Sequence, residues 1–131
     1  MKLIIGGAYQ GKKAYASREY QIKENMWADG ASCQWEEVLS TPAVHNFHIL
    51  IRRLLQEGTD VVSLGKELYE KNPQIVVVTD EVGYGIVPME AEERAWREAC
   101  GRVCTVLAQQ AEEVVRVCCG IGRRIKGGKY T

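Results

Sequence analysis

The chain begins with a short apolar run that opens directly onto a glycine-rich loop and a lysine. Residues 2–5, Lys-Leu-Ile-Ile, are predicted to form a buried strand, and residues 11–22 a helix. Between them, residues 6–13 read Gly-Gly-Ala-Tyr-Gln-Gly-Lys-Lys and match the pattern G-x-x-x-x-G-K. A strand that leads through such a loop into a helix is the arrangement that binds nucleotide phosphates. This segment, here called the phosphate loop, therefore points to an α/β fold.

The residue types in the phosphate loop suit an anion. Glycines let backbone N–H groups turn toward a phosphate, the helix N-terminus adds a partial positive charge, and Lys12 adds a full one. Lys13 stands where a Ser or Thr hydroxyl normally holds Mg²⁺, so it is either a second cation on the phosphate or, as we favour, a solvated lysine. The alternative is a glycine-rich turn without a ligand. The predicted phosphate-binding residues are Gly6, Gly7, Ala8, Gln10, Gly11, Lys12 and Lys13.

Strands and helices alternate along the rest of the chain. We expect a short strand near residues 26–28, and a helix from Pro42 to about residue 57 in which Thr41 is the cap. This alternation predicts a single P-loop NTPase-like domain, residues 1–131, with a mostly parallel sheet flanked by helices and a flexible tail at 126–131. The remaining expected elements are helices over 60–71 and 89–110, strands over 74–79 and 114–119, and a glycine-rich turn from Gly83 to Pro88.

Composition excludes several classes of protein. Seventeen basic residues balance seventeen acidic ones, so the chain lacks the basic excess that is typical of nucleic-acid-binding proteins. Apolar residues make up 46% of the chain, as in an ordinary globular protein. The longest uninterrupted apolar run, Ile75 to Val78, is far too short to span a membrane. Five cysteines without a Cys-x-x-Cys pair indicate reduced, mostly buried thiols in a cytoplasmic protein, and their spacings fit no zinc finger.

Two carboxylates end the apolar run before the glycine-rich turn. Asp80 and Glu81 follow the predicted strand at 74–79, and ligands of open α/β sheets bind beyond the carboxyl ends of strands. In folds with a phosphate loop, a carboxylate at such a strand end positions Mg²⁺ and its waters. We therefore name Asp80 and Glu81 as candidate metal ligands. The alternative is that they cap a turn.

Two histidines and a basic turn complete the candidates. His45, His48 and Arg52 are spaced i, i+3, i+7 on the helix expected from residue 42. A histidine there is a candidate to attack a nucleotide α-phosphate or to act as a base, although hydrogen bonding at the edge of the core is the more ordinary role. The turn at residues 120–122, with the basic residues after it, either binds an anion or forms a solvated tail.

Three blocks of the sequence resemble a known family. They are Leu-Ile-Ile-Gly-Gly-Ala-Tyr-Gln-Gly-Lys at residues 3–12, Glu-Val-Gly-Tyr-Gly-Ile-Val-Pro at 81–88, and a third that runs from Arg94 to Lys126 with Gly-Arg-Val at 101–103 and Gly-Ile-Gly at 120–122. Together they resemble the adenosylcobinamide kinase/adenosylcobinamide-phosphate guanylyltransferase family of cobalamin biosynthesis. The second block is the most distinctive of the three.

The resemblance implies a function for the phosphate loop. Members of that family phosphorylate the aminopropanol hydroxyl of adenosylcobinamide, a corrinoid, and then guanylylate the phosphate through a histidine–nucleotide intermediate. It implies ATP or GTP and Mg²⁺ as cofactors, a homo-oligomer, Lys12 as a catalytic residue on the triphosphate, and Asp80 or Glu81 near the metal. His48 or His45 is the candidate to carry the nucleotide.

The sequence departs from the family in ways that favour other functions. Lys13 replaces the hydroxyl residue, Cys104 stands where the family usually has Asn, and the segment between the first helix and residue 75 is much shorter than in full-length members. The guanylyl-accepting histidine normally lies in that segment. The alternatives are therefore a non-catalytic nucleotide- or corrinoid-binding regulatory protein, and a small-molecule kinase of the same fold with another acceptor.

Overall fold

A computed structural model describes residues 1–82 and 90–127, and in them six strands form one sheet with helices on both faces. The glycine-rich turn expected from Gly83 to Pro88 lies outside the described residues, as does the end of the expected tail. The strands are β1 (Lys2–Gly6), β2 (Trp27–Asp29), β3 (Ala43–His45), β4 (Val76–Asp80), β5 (Glu113–Cys118) and β6 (Ile121–Lys126). The helices are α1 (Lys12–Glu19), α2 (Trp35–Val38), α3 (Phe47–Gln56), α4 (Val61–Lys71) and α5 (Ala91–Gln110).

The strand order places the phosphate loop at the middle of the sheet. The order is β2-β3-β4-β1-β5-β6, and every neighbouring pair is parallel except β5 with β6. In the register of β1 and β4, Gly6 lies opposite Asp80. The phosphate loop and the acidic strand end therefore start side by side, as the predicted parallel α/β fold requires.

The alternation of side chains along the strands builds a core on each face of the sheet. Leu3 and Val77 point toward α3, α4 and α5, where they join Phe47 in the larger cluster. Ile4 and Val78 point the other way and pack with residues of α1. Because both faces are covered, the central strands read as continuous apolar runs. Within the described residues, no helix combines the length and the apolar character that crossing a bilayer requires.

The expected start of the third helix is wrong. Residues 43–45 form β3, which pairs with β2 and β4, and α3 begins only at Phe47. Thr41 does not cap a helix, since its hydroxyl donates to the carbonyl oxygen of Met26, 3.1 Å away. Ala43 and Val44 are fully buried, so pairing within the sheet outweighs the local Thr-Pro signal.

The expected ends of the chain also need correction. Residues 121–126 form the edge strand β6 rather than a turn and a basic tail. Cys118 and Cys119 are exposed, not buried, because Cys118 faces solvent at the end of β5 and Cys119 lies in the turn that follows. Cys33 and Cys100 are buried as expected.

Candidate functional site

Glycine is required at both ends of the phosphate loop. Gly11 has φ 81° and precedes α1, a left-handed conformation that side chains rarely adopt. A Cβ atom on Gly6 would lie 2.5 Å from the carbonyl oxygen of Val117, so the strand end can approach β5 only without a side chain. These two positions fix the path of the loop from β1 into α1.

A cavity of about 470 Å³ opens beside the phosphate loop. It lies over the carboxyl ends of the parallel strands, where ligands of such sheets bind. The loop forms one wall, and β4 and the start of α3 form the other. The lining residues are Ala8, Tyr9, Gln10, Gly11, Lys12, Lys13, Ala14, His45, Asn46, His48, Ile49, Val78 and Asp80.

The Lys12 ammonium group is buried within this site. Its side chain is 7% exposed, and Nζ donates to the carbonyl oxygen of Gly7 at 2.6 Å. Nζ also lies 2.7 Å from Oδ1 of Asp80, at the end of the neighbouring strand β4. The charge of Lys12 is thus compensated by one carbonyl and one carboxylate, and the carboxylate, that of Asp80, lines the cavity.

His48 holds the other side of Asp80. The backbone N–H of Asp80 donates to Nδ1 of His48 at 3.1 Å, and Nε2 lies 3.3 Å from Oδ2 of Asp80. Burial lowers the pKa of His48, with a smaller opposing effect from Asp80. The neutral tautomer that satisfies both contacts carries its hydrogen on Nε2. Both ring nitrogens therefore face Asp80, which suits a residue that positions that carboxylate.

Trp96 of α5 supports His48 from behind. Its ring stacks on the imidazole with 6.4 Å between ring centroids, and its Nε1 donates to the carbonyl oxygen of His48 at 2.9 Å. The Arg52 guanidinium lies 4.7 Å from the centroid of the Trp96 ring and pairs with Glu93 at 3.0 Å. Arg52 therefore acts in the packing of α3 against α5.

His45 does not share a helix with His48, as the spacing suggested, because it ends β3. The structure nevertheless brings both histidines to the wall of the same cavity. The ring of His45 meets Trp27 edge to face with 5.7 Å between centroids, and burial lowers its pKa. Its neutral imidazole is thus available at pH 7 beside the phosphate loop.

Lys13 points toward other partners than Lys12 does. Its Nζ pairs with Glu24 at 2.8 Å and lies 5.8 Å from the centroid of the Trp27 ring. It also lines the cavity, but it offers no oxygen to a metal ion.

The two candidate metal ligands face different ways. Both carboxylate oxygens of Glu81 accept from Arg116, at 2.7 and 2.9 Å, so that side chain is committed to β5. Asp80 supplies the carboxylate that lines the cavity. Among residues 1–82 and 90–127, no group of three or more His, Cys, Asp or Glu side chains could hold a metal. Mg²⁺ fits this donor set only as an ion that takes its remaining ligands from phosphates and water.

Arg124 and Lys126, two of the basic residues of β6, contact other parts of the fold. Arg124 pairs with Glu113 at 3.0 Å and with Glu19 at 3.4 Å. The ammonium of Lys126 donates to two carbonyl oxygens in the last turn of α5, those of Ala108 and Gln109. The charged groups of Arg124 and Lys126 are therefore engaged with other residues and do not form an anion site at the 120–122 turn.

Sequence reasoning missed the contact between the β5–β6 turn and the phosphate loop. The N–H groups of Cys119 and Gly120 donate to the side-chain and backbone oxygens of Gln10, each at 2.8 Å. The signal in the sequence was the pair Cys119-Gly120 between two strands. Both residues have positive φ, as in a type I′ hairpin turn, in which glycine is favoured.

The comparisons with known proteins agree with this architecture. The model of the family described as cobinamide kinase / cobinamide phosphate guanyltransferase matches residues 44–125, which is more than half of the chain. The chain belongs to this family. The match covers Asp80 and both histidines but begins after the phosphate loop.

Curated relatives match a shorter stretch. The bifunctional adenosylcobalamin biosynthesis proteins CobU of Salmonella typhimurium and Escherichia coli are each 49% identical to this chain over 53 residues. That stretch is 40% of this chain and 29% of the length of each relative. The chain is therefore similar to one part of these proteins.

Proposed function

We propose that this protein is a nucleotide-dependent kinase, guanylyltransferase or both, acting on adenosylcobinamide or its phosphate in cobalamin biosynthesis. The observation that carries the proposal is the buried Lys12 ammonium at the mouth of a glycine loop, beside a cavity of about 470 Å³. A buried cation held by one carboxylate and one carbonyl is ready to exchange these partners for a polyanion. The printed names of the family and its relatives support the corrinoid as the acceptor.

In the kinase reaction, the phosphate loop binds the triphosphate of ATP or GTP. The loop amides and Lys12 contact the β- and γ-phosphates and balance the charge that develops as the bond to the leaving diphosphate lengthens. The acceptor hydroxyl oxygen forms the new bond to the γ-phosphorus, the bond to the β-phosphate oxygen breaks, and the hydroxyl proton leaves to solvent. Positioning and charge balance therefore do most of the work.

Asp80 is the residue proposed to hold Mg²⁺. When bound, the ion would neutralise part of the negative charge of the phosphates. His48 holds Asp80 through two contacts and thereby fixes where its carboxylate points. Glu81 remains a weaker candidate because Arg116 occupies both of its oxygens.

In the guanylyltransferase reaction, a histidine nitrogen would attack the α-phosphorus of GTP and release pyrophosphate. The phosphate of the corrinoid would then displace the histidine. His45 is better placed for this than His48, because both nitrogens of His48 are engaged with Asp80. We therefore assign nucleotide transfer to His45 and the positioning of Asp80 and Lys12 to His48.

The test is group transfer to adenosylcobinamide. The protein is incubated with the corrinoid, Mg²⁺ and either ATP or GTP, and products are separated and identified by mass. We expect the corrinoid to gain one phosphoryl group, and Lys12→Ala to lose this product. Arg123→Ala, a change on β6 away from the cavity, is the matched control and should keep it. Bound nucleotide without any transferred phosphoryl group in the unmodified protein would reject the kinase activity.

A second candidate function is favoured by Lys13. Lys13 occupies the sequence position where the fold usually offers Mg²⁺ a hydroxyl, and its ammonium pairs with Glu24. A protein with this change is suited to bind nucleotide or corrinoid without turning it over, as a regulatory protein would. Nucleotide binding that is independent of Mg²⁺, together with no transfer to the corrinoid, would support this second function over the first.

A further inference from the structure

Two adjacent exposed thiols lie at the turn between β5 and β6. The Sγ atoms of Cys118 and Cys119 are 4.0 Å apart, and both residues are exposed. Cys119 has φ 52° and Gly120 has φ 76°, so both central residues of this turn are left-handed. The positive φ of Cys119 swings its side chain toward that of Cys118, whereas successive side chains of a regular strand point to opposite faces.

This turn packs against the phosphate loop and donates hydrogen bonds to it. The N–H of Cys119 donates to Oε1 of Gln10, and the N–H of Gly120 donates to its carbonyl oxygen. A Cβ atom on Gly11 would lie 3.3 Å from the Cα of Gly120, so the two backbones approach each other closely. A change in the conformation of the turn must therefore move Gln10 or break its hydrogen bonds.

We propose that Cys118 and Cys119 form a reversible oxidation site, and that the disulfide between them loosens the phosphate loop and weakens nucleotide binding. The oxidant is a hydroperoxide. One thiolate attacks the peroxide and becomes a sulfenic acid as an alcohol or water leaves; the second thiol then attacks this sulfur and releases water. Two thiols lose two hydrogens, the peroxide is reduced, and a small-molecule thiol reverses the reaction by exchange.

The geometry explains why oxidation would reach the loop. A disulfide needs its sulfurs about 2.05 Å apart, roughly half the present distance. A bond between neighbouring cysteines closes a ring that contains their shared peptide group, and thus the backbone nitrogen of Cys119. That same N–H holds Gln10. Closing the ring therefore rotates the donor that supports the phosphate loop.

The experiment compares the protein reduced and after treatment with hydrogen peroxide. Trypsin cleaves after Arg116 and Arg123, so both cysteines fall in one peptide, residues 117–123. Without reduction, we expect this peptide to become two hydrogens lighter and to regain its mass with dithiothreitol. Hydrogen exchange of residues 6–13 should become faster in the oxidised protein, and nucleotide affinity should fall by roughly tenfold, as the loss of hydrogen bonds implies.

The variants Cys118→Ser and Cys119→Ser are the controls, because each keeps the backbone donors and removes one sulfur. Both should bind nucleotide as the reduced protein does and should not respond to peroxide in loop exchange. The inference rests on the proposed nucleotide function only for the affinity measurement. If neither form binds nucleotide but oxidation still changes the exchange of the loop, the proposed function fails and the oxidation site stands. The inference would be overturned if peroxide left the mass of this peptide unchanged, added oxygen to it or linked it to a second chain. It would also be overturned if the disulfide formed but the hydrogen exchange of residues 6–13 stayed the same.

Discussion

The ion pair between Lys12 and Asp80 gives a prediction whose size follows from its burial. Lys12→Met leaves the Asp80 carboxylate without its cation, and Asp80→Asn leaves the buried ammonium without its anion. Each single change should therefore destabilise the protein. The double variant has no unpaired charge, so its loss should be smaller than the sum of the two single losses.

The magnitude comes from the distance and the exposure of the two groups. At 2.7 Å, two unit charges attract by roughly 6 kcal/mol at an effective dielectric constant of about 20, before the cost of desolvation. Removing one partner of a fully buried pair costs about 3–5 kcal/mol. Because Asp80 is 27% exposed, water recovers part of this loss, and we expect about 1–3 kcal/mol for each single variant with a coupling energy of about 1–2 kcal/mol.

The assay is urea unfolding of the wild type, both single variants and the double variant at pH 7.5. The exposed pair Lys66 and Glu70 on α4, 3.9 Å apart, supplies a matched cycle, Lys66→Met with Glu70→Gln, whose coupling should stay below about 0.5 kcal/mol. The assignment of a buried ion pair to this site would be refuted if the stability losses of Lys12→Met and Asp80→Asn were additive. It would also be refuted if their coupling energy were no larger than that of the exposed pair.

Two further predictions concern the loop glycine and the histidines. Gly6→Ala should destabilise by about 2 kcal/mol or more, because the new methyl would meet the carbonyl oxygen of Val117, whereas Gly101→Ala inside α5 has open space and should stabilise by up to about 1 kcal/mol. Thermal unfolding of the two variants checks this, and equal effects would contradict it. Burial lowers the pKa of His45 and His48, so on acidification these histidines bind protons in the unfolded chain at a higher pH than in the folded protein. The free energy of unfolding therefore decreases as the pH falls below about 6.5. Urea unfolding between pH 7.5 and 5.5 should show this decline and a shallower one in His48→Gln, and a wild-type profile that is flat or rises on acidification would exclude the effect.

Elements with a long, regular pattern could be predicted from the sequence. The stripe of α5 and the β-branched run of β4 carry their periodicity over enough residues to outweigh other signals, and both lie where they were expected. The three residues of β3 could not be predicted, because a local Thr-Pro helix signal precedes them and only pairing with β2 and β4 decides their conformation. β6 was missed because an exposed edge strand has no buried face to set an alternating pattern.

The site divides in the same way. The phosphate loop is visible in the sequence because its glycines and lysine are needed locally, for backbone conformation and charge. The contacts that join Lys12, Asp80 and His48 are not visible, since they depend on the register of β1 with β4 and on where α3 begins. The two contacts of His48 with Asp80 are the reason we propose it as a residue that positions this carboxylate, whereas its spacing in the sequence made it a candidate nucleophile.

Nucleotide titration of two neighbouring lysine variants tests the central claim most directly. Isothermal titration with ATP and with GTP compares Lys12→Ala, which removes the buried ammonium of the phosphate loop, with Lys13→Ala, which removes the partner of Glu24. We predict that Lys12→Ala abolishes binding and that Lys13→Ala keeps most of it. Unchanged affinity in Lys12→Ala would contradict the claim that this loop binds a nucleotide.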